Sequence, residues 1–306
     1  MRKIEYGAFK ECENLSEVHI SDITAWCNIE SEEVIENPYG EPPQRVYRPR
    51  LCAKSLYLNG ELITNLIIPK DVKRISPYSF YGYENIVSVV ISEGVIEIGE
   101  YAFSKCTRIE TVTLPKSLEM IQRNAFSECE NLSQVHFSQI TSLKNAIYGI
   151  YIGPSAFSSC TALRSVTIYS VNLIDYRTFS GCTSLTTITI FWLYGVYISA
   201  KAFSSCTQLT SATFFNIDKL FPVRESIISL ARNVNVYKHI QEIRTKIATY
   251  NADTVNIHLP DICLPYIDYR AFEGCTRLTS IIFDANPSAQ NKQIPTPNIS
   301  EYAFDL

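Results

Sequence analysis

Cysteine and histidine are the side chains in this sequence whose type and spacing could support chemistry. The chain contains ten cysteines and four histidines among its 306 residues. Thiols can pair as disulfides, ligate a metal or act as nucleophiles. Seven cysteines lie three residues after a phenylalanine: Cys12, Cys106, Cys129, Cys160, Cys182, Cys206 and Cys275. No pair has the Cys-x2-Cys spacing typical of zinc sites, so the sequence predicts no metal centre, and it predicts no cofactor.

The phenylalanines before these cysteines belong to a sequence repeat. Its anchors are Phe9, Phe80, Phe103, Phe126, Phe157, Phe179, Phe203, Phe272 and Phe304. Every anchor follows an isoleucine by five residues, and Ala, Ser or Thr directly precedes it. Leu or Ile comes six residues after each of the first eight anchors, and then an alternating segment such as Val112-Thr113-Leu114. Alternation with β-branched residues predicts a short, half-buried strand.

A single repeat of this length cannot bury its own apolar face, so neighbouring repeats must stack. We therefore predict an α/β repeat fold, in which residues 1–306 form one solenoid. A parallel β-sheet runs along one face, and about 11–12 repeats of 22–24 residues each supply one strand and one irregular or short helical return.

Two long intervals, 71 residues before Phe80 and 69 before Phe272, suggest decayed repeats. In the second interval, the period predicts strands at 234–236 and 257–259. In the first, Tyr57 and Gly60 fall where an anchor and its cysteine are expected, and residues 66–68 are the predicted strand. An isolated β-hairpin over residues 56–68 that turns at Asn59-Gly60 is the competing interpretation.

Three segments interrupt the period. Residues 22–55 form a proline-rich insertion that contains Trp26, and residues 139–151 lengthen one repeat. Residues 237–250 have apolar side chains at helical spacing, which predicts a helical insertion or a degenerate repeat. Insertions in solenoids often form loops on the binding side, although tolerated surface loops are an equal alternative here.

The cysteines within the repeat occupy equivalent positions, which stacking places in one interior ladder. Cysteine is a small and readily buried hydrophobe, so we expect buried free thiols. Disulfides between neighbouring repeats remain possible from spacing alone. Tyr83 replaces the cysteine in one repeat, which favours packing over pairing.

Histidines lie in strands rather than in a catalytic motif. His19, His136 and His258 each stand beside an apolar residue that points inward, so the histidines should face solvent. The sequence contains no metalloprotease, nucleophile-elbow, Walker or dinucleotide motif. Because a Ser/His/Asp triad assembles in space, the sequence alone leaves that alternative open. With no catalytic motif, the sequence favours a protein that is not an enzyme.

The outward positions of the predicted strands are small and polar, with one exception. Aromatic residues follow three successive strands, and stacking would bring them together as a strip along one edge. Such a strip suits an interface or a sugar face, or else it packs beneath neighbouring loops. The candidate binding surface therefore comprises Tyr169, Phe191, Trp192, Tyr194, Phe215, His136, Gln134 and Thr189.

The spacing Ile-x4-Phe-x2-Cys-x2-Leu resembles the BspA-like leucine-rich repeat family of bacterial surface proteins. Residues 22–29, followed by 56–61, are similar to an insertion in gut-bacterial members. The resemblance implies a cell-surface or secreted protein that adheres to host matrix or to other cells, with an extracellular protein or glycan as its partner. A structural spacer or assembly module is the main alternative, and a hydrolase built on an inserted loop is a third.

Charge and hydropathy limit the other partners. The net charge is −4 and the isoelectric point is about 5.7, so the chain has no basic field for nucleic acid. No run of 18 apolar residues predicts membrane insertion, and no signal-peptide core follows Met1. Because both ends fall within a repeat and lack an obvious polar cap, we expect an excised fragment or ends that meet a partner.

Overall fold

The structure is a computed structural model that describes residues 12, 14–29, 53–138, 149–192, 196–216, 266–284, 298–300 and 302–303, with the backbone of 32–35 and 44–47. Its elements are numbered in chain order. The predicted strands at 234–236 and 257–259, the predicted helix at 237–250 and Tyr194 lie outside the described residues.

The N-terminal part contains small elements. They are β1 (Glu17–Ile20), α1 (Ile23–Cys27), β2 (Glu32–Ile35), β3 (Gln44–Tyr47), β4 (Ser55–Leu58) and β5 (Glu61–Leu62). β4 pairs in parallel with β1 and forms an antiparallel hairpin with β5. Asn59 and Gly60 join them with φ angles of 52° and 87°, as a type I′ turn requires. The predicted turn at Asn59-Gly60 is therefore confirmed, and the alternative that Tyr57 and Gly60 are an anchor and its cysteine is wrong. The hairpin is not isolated, because β4 also pairs with β1 and the strand predicted at 66–68 belongs to a separate parallel sheet.

Two parallel sheets of eight strands follow, and the chain alternates between them. The long-strand sheet contains β6 (Asn65–Ile68), β8 (Ser88–Ile91), β10 (Thr111–Leu114), β12 (Gln134–Phe137), β14 (Ser165–Tyr169), β16 (Thr187–Trp192), β18 (Ser211–Asn216) and β20 (Ser280–Asp284). The short-strand sheet contains β7 (Arg74–Ile75), β9 (Glu97–Ile98), β11 (Met120–Ile121), β13 (Ile150–Ile152), β15 (Val171–Ile174), β17 (Tyr197–Ile198), β19 (Tyr266–Ile267) and β21 (Asn298–Ile299). One level of both sheets, with the turn that joins them, is called a rung below. The predicted solenoid fold with a parallel β-sheet along one face is confirmed for the residues that the structure describes.

The sheets pass directly from β18 to β20, with Ser211 opposite Ser280 and Phe214 opposite Phe283. Backbone hydrogen bonding between these strands leaves no space for a strand between them. β18 and β20 are therefore neighbours in the sheet, while the strands predicted at 234–236 and 257–259 fall outside the described residues. Residues 217–265 connect two adjacent rungs.

Each return between the sheets is a tight turn that contains two residues with a left-handed backbone conformation. In the rung of Phe126 these are Asn124 and Glu128, with φ angles of 54° and 59°. At the second position other rungs use glycine, as at Gly82, Gly181 and Gly274. Between the two positions, Phe126 donates its backbone N–H to the carbonyl of Ala156 in the next rung. The alanine is fully buried, which explains why only a small residue precedes each anchor.

The anchor phenylalanines form one continuous stack through the core. Neighbouring rings from Phe80 to Phe272 lie 5.0–5.4 Å apart and nearly parallel. The isoleucines five residues earlier, such as Ile98 and Ile121, are also fully buried and belong to the short strands. Each rung therefore buries its apolar side chains against the next one, as the repeat period predicts.

Candidate functional site

The two outward rows of the long-strand sheet contain no Asp, Glu, Lys or Arg side chain. The first row consists of Asn65, Ser88, Thr111, Gln134, Ser165, Thr187, Ser211 and Ser280. The second row consists of Ile67, Val90, Thr113, His136, Thr167, Thr189, Thr213 and Ile282. Hydroxyl and amide groups can bond a partner there, while the missing charges make the face inexpensive to desolvate.

Three aromatic rings extend this face along one edge. β14, β16 and β18 are longer than the four-residue strands before them, and their fifth residues are Tyr169, Phe191 and Phe215. The rings of Tyr169 and Phe191 lie 4.9 Å apart, and those of Phe191 and Phe215 lie 5.1 Å apart. All three are half-buried. These three residues are called the aromatic strip. Their proximity was predicted from their equivalent positions in successive repeats.

Trp192 does not belong to the aromatic strip. Successive strand residues point to opposite sides, so Trp192 faces inward where Phe191 faces outward. Its side chain is only 7% exposed, and its indole Nε1 has no hydrogen-bond partner among the described residues. The prediction that Trp192 lies on the binding surface is wrong. Tyr194, the other predicted member, lies outside the described residues.

The remaining candidates lie beside the aromatic strip. Gln134 and His136 stand on β12, where both are exposed, and Thr189 stands on β16 between Thr167 and Thr213. The candidate surface therefore spans four consecutive strands, β12 to β18. Sequence reasoning missed Ile67, Val90 and Ile282 on the same face, which are 41–61% exposed. Their signal was an apolar residue where other strands carry threonine.

Stacking determines which parts of the aromatic strip a ligand can reach. The interplanar angles are 12° and 20°, so each ring covers a face of its neighbour. Both faces of Phe191 are covered, and the middle of the strip offers ring edges to solvent. Sugar rings bind best against an open aromatic face, whereas apolar side chains pack well against ring edges.

The histidines have no catalytic neighbours in the described part of the chain. His19 stacks on Tyr57 with 4.5 Å between ring centres, and its Nε2 lies 3.3 Å from Glu17 Oε2 on an exposed surface. The described residues contain no cluster of three His, Cys, Asp or Glu side chains that could hold a metal ion. No helix in that part is long and apolar enough to cross a membrane.

The cysteine ladder is a set of hydrogen bonds between rungs. Each thiol donates to the carbonyl of the preceding anchor phenylalanine: Cys106 to Phe80, Cys129 to Phe103, Cys160 to Phe126, Cys182 to Phe157, Cys206 to Phe179 and Cys275 to Phe203. Sulfur–oxygen distances are 2.8–3.2 Å. The eight described cysteines are all free, so the prediction of buried free thiols is confirmed for the six thiols of this ladder. Cys12 is free but exposed.

Burial suppresses the reactivity of these thiols. It raises the pKa of Cys106 and of Cys182 to about 12. Because the thiolate is the reactive species, we expect the six ladder thiols to resist a thiol reagent at pH 8 in the native protein and to react after unfolding. Denaturation without reductant should release ten reactive thiols, counted by absorbance. Two or fewer would contradict the ladder of free cysteines.

The stacked parallel rungs, with Ile, Phe, Cys and Leu buried at equivalent positions, define a leucine-rich repeat solenoid. The model of the family described as BspA type leucine rich repeat region matches residues 53–150, 139–221 and 225–305, with six copies. The chain belongs to this family.

Solved structures similar to this chain include bacterial leucine-rich repeat proteins. A leucine rich repeat protein of T. pallidum is 19% identical, and the match covers 81% of this chain and 88% of that one, with a TM-score of 0.44. A leucine rich cell surface protein of Faecalibacterium prausnitzii is 24% identical over 61% of this chain and 53% of that one, with a TM-score of 0.36. A leucine-rich repeat protein of Eubacterium ventriosum is 15% identical over 94% and 77%, with a TM-score of 0.36. No curated protein matches the sequence.

Proposed function

We propose that this protein is a non-enzymatic binding module that adheres to an extracellular protein through its long-strand sheet face. The aromatic strip carries this proposal, because three half-buried rings stand at the edge of a face that has no charge in its outward rows. The partner contributes apolar side chains to the ring edges and backbone or amide groups to the Ser and Thr rows. A glycan is the less suitable partner, since stacking covers the ring faces that sugars use.

The size of the long-strand sheet face makes the aromatic strip important for binding. Eight strands about 4.8 Å apart span roughly 34 Å. A face of that length and one strand width is at the small end of stable interfaces, so the aromatic strip supplies contacts that the hydroxyl rows alone lack.

A location at the cell surface or outside the cell follows as part of the proposal. Membership of the BspA type repeat family supports it. Oxidising surroundings convert exposed thiols to disulfides, but the ladder thiols are buried and hydrogen-bonded. They are therefore suited to such surroundings without pairing.

The test is binding by variants that keep the fold. Phe191→Ser with Phe215→Ser removes two of the three rings of the aromatic strip, and Leu62→Ser, which replaces an exposed apolar side chain outside the long-strand sheet, is the control. On a panel of matrix proteins, we expect the first pair to weaken the strongest interaction at least about tenfold and the control to leave it within about twofold. Unchanged binding with a lowered melting temperature in the first variant would contradict the proposal.

A structural spacer is the second candidate, because the phenylalanine stack is continuous from Phe80 to Phe272. If the protein is a spacer, the sheet face should bind no partner. The distance between two domains fused to its ends should then stay the same when Phe191 and Phe215 are replaced. Absence of binding to every panel member would favour it over adhesion.

A further inference from the structure

The long-strand sheet face has a side-chain pattern that repeats on successive strands. On β14, β16 and β18, the outward side chains at the first, third and fifth positions are a hydroxyl, a hydroxyl and an aromatic ring. On β16 they are Thr187, Thr189 and Phe191. The three strands pair in parallel without a register shift, so equivalent side chains lie in straight rows across the sheet. A partner therefore meets the same kinds of contact at each of these rungs.

A partner needs the same spacing to use such contacts along the whole face. Neighbouring strands of a sheet lie about 4.8 Å apart, and the eight strands cover roughly 34 Å. A partner whose groups are spaced differently falls out of step with the rungs. Another sheet of parallel rungs stays in step along the full length, and a second copy of this chain supplies such a sheet.

The distribution of charge also favours a second copy. In a symmetric dimer, a residue near the twofold axis meets the same residue of the other copy, so a charged side chain there meets its own charge. The two outward rows have no Asp, Glu, Lys or Arg at their eight positions each, although the chain contains 27 basic and 31 acidic residues. Two copies can therefore meet through these rows without repulsion between ionised Asp, Glu, Lys or Arg.

A twofold axis parallel to the solenoid axis brings the second row of one copy opposite the second row of the other. Apolar side chains then meet apolar side chains at Ile67, Val90 and Ile282, which are 41–61% exposed. Threonine meets threonine on strands such as β16, where the residue is Thr189, and hydroxyls can bond each other. His136 meets His136, and two neutral imidazoles can share one hydrogen bond. The second row is thus compatible with itself at every kind of position.

The same axis brings the first row opposite the aromatic strip. Thr187 then faces Phe191 of the other copy, and Ser211 faces Phe215. A small side chain opposite a large one lets two facing sheets interdigitate at their usual separation of about 10 Å. Because Phe191 and Phe215 are half-buried, a second copy covers ring edges that solvent contacts in the single chain.

The area of the face predicts a weak and reversible contact. Five residues of each strand span roughly 16 Å, so the face measures roughly 550 Å² on each copy. Two copies bury roughly 1,100 Å² in total, which is at the lower limit for specific interfaces. Association in the micromolar range is therefore expected, and many copies together can strengthen it.

We propose that the long-strand sheet face binds the same face of a second copy of this chain, about a twofold axis that runs along the solenoid. This inference rests on the proposed function, because it names a second copy as the extracellular protein that the face binds. Thr189 lies in the second row at the middle of the three patterned strands, so it meets Thr189 of the other copy. An unrelated matrix protein is the alternative occupant.

Charge exchange at Thr189 tests the proposal, with self-association measured by analytical ultracentrifugation at about 1–200 μM chain. Thr189→Glu and Thr189→Lys each place like charges opposite each other, so each variant alone should dimerise at least about tenfold more weakly than wild type. An equimolar mixture of the two places opposite charges together and should dimerise within about threefold of wild type. The control is Thr207, an exposed threonine in a return: Thr207→Glu and Thr207→Lys should each stay within about twofold.

Recovery in the mixture supports the second copy, because it requires the substituted residue to meet its own counterpart. Weakening without recovery overturns the proposal, as do dimers that the Thr189 substitutions leave unchanged. A wild-type chain that stays monomeric at about 200 μM also overturns it. The same pair of substitutions at Thr213, on the next strand of the second row, replaces Thr189 if either variant has a lowered melting temperature.

The panel of matrix proteins separates failure of this inference from failure of the proposed function. A monomeric chain that binds a matrix protein, and loses that binding with Phe191→Ser and Phe215→Ser, overturns the second copy and supports adhesion through the face. A chain that neither self-associates nor loses matrix binding with these substitutions overturns both.

Discussion

Phe126→Ala is expected to lower the free energy of unfolding by about 3–5 kcal/mol. Phe126 is fully buried, and its ring lies 5.0 Å from Phe103 and 5.2 Å from Phe157. The substitution leaves a cavity in the middle of the stack and weakens the contacts of one rung with both neighbours. Because each rung contacts only the adjacent ones, nothing elsewhere compensates. Denaturant unfolding followed by circular dichroism measures the effect.

Phe191→Ala is the matched control, since it removes the same side chain from the half-buried aromatic strip. We expect it to cost less than about 2 kcal/mol. A result in which Phe126→Ala costs no more than Phe191→Ala would show that the anchor stack is not the stabilising core of the solenoid.

Trp26→Ala is expected to cost about 3–5 kcal/mol, because Trp26 is buried in the core and hydrogen-bonds the rung of Phe80. Its indole Nε1 donates to the Ser79 carbonyl at 2.8 Å. Ser79 directly precedes the anchor Phe80. In later rungs, the carbonyl of the residue before the anchor accepts a hydrogen bond from the backbone N–H of the preceding anchor, as the Ala102 carbonyl does from Phe80. The Cys27 carbonyl likewise accepts a hydrogen bond from the Ser76 N–H. In the next rung, the Ile75 carbonyl accepts the equivalent hydrogen bond from the Gly99 N–H. Helix α1 therefore takes the place of a missing rung.

Trp26→Phe separates the hydrogen bond from the packing. It keeps an aromatic ring but leaves the carbonyl of buried Ser79 without its donor, which should cost about 1–3 kcal/mol. The chain has two tryptophans, so the measurement is best made in a Trp192→Phe background, which is then the parent protein. Urea unfolding of the parent and of its Trp26→Phe variant is followed by circular dichroism. In the parent, the fluorescence of Trp26 also reports unfolding at the N-terminal end of the solenoid. Equal stability of Trp26→Phe and its parent would contradict the capping role.

Much of the fold could be predicted because the core residues recur at fixed spacing. Phe, Ile, Cys and Leu each define one ladder, and strands such as Thr111–Leu114 have clear alternation. The short-strand sheet could not be predicted as a separate sheet, because strands such as Met120–Ile121 have two residues and give no periodic signal. The role of Trp26 was also hidden, since it depends on a contact with Ser79, which lies 53 residues away.

The candidate site was predictable only in part. Tyr169, Phe191 and Phe215 were found because they share a repeat position. Trp192 was included because it is adjacent in sequence, although strand alternation already placed it on the inner side. The direct pairing of β18 with β20 could not be foreseen, because segments of 217–265 follow the repeat period in sequence.

Photo-crosslinking from the aromatic strip tests the central claim most directly. A benzophenone amino acid replaces Phe191 in one variant and Tyr81, on the return side of the solenoid, in another. With the matrix protein that binds most strongly, we predict a crosslinked complex from position 191 and none from position 81. Crosslinking from position 81 without any from position 191 would contradict binding through the sheet face.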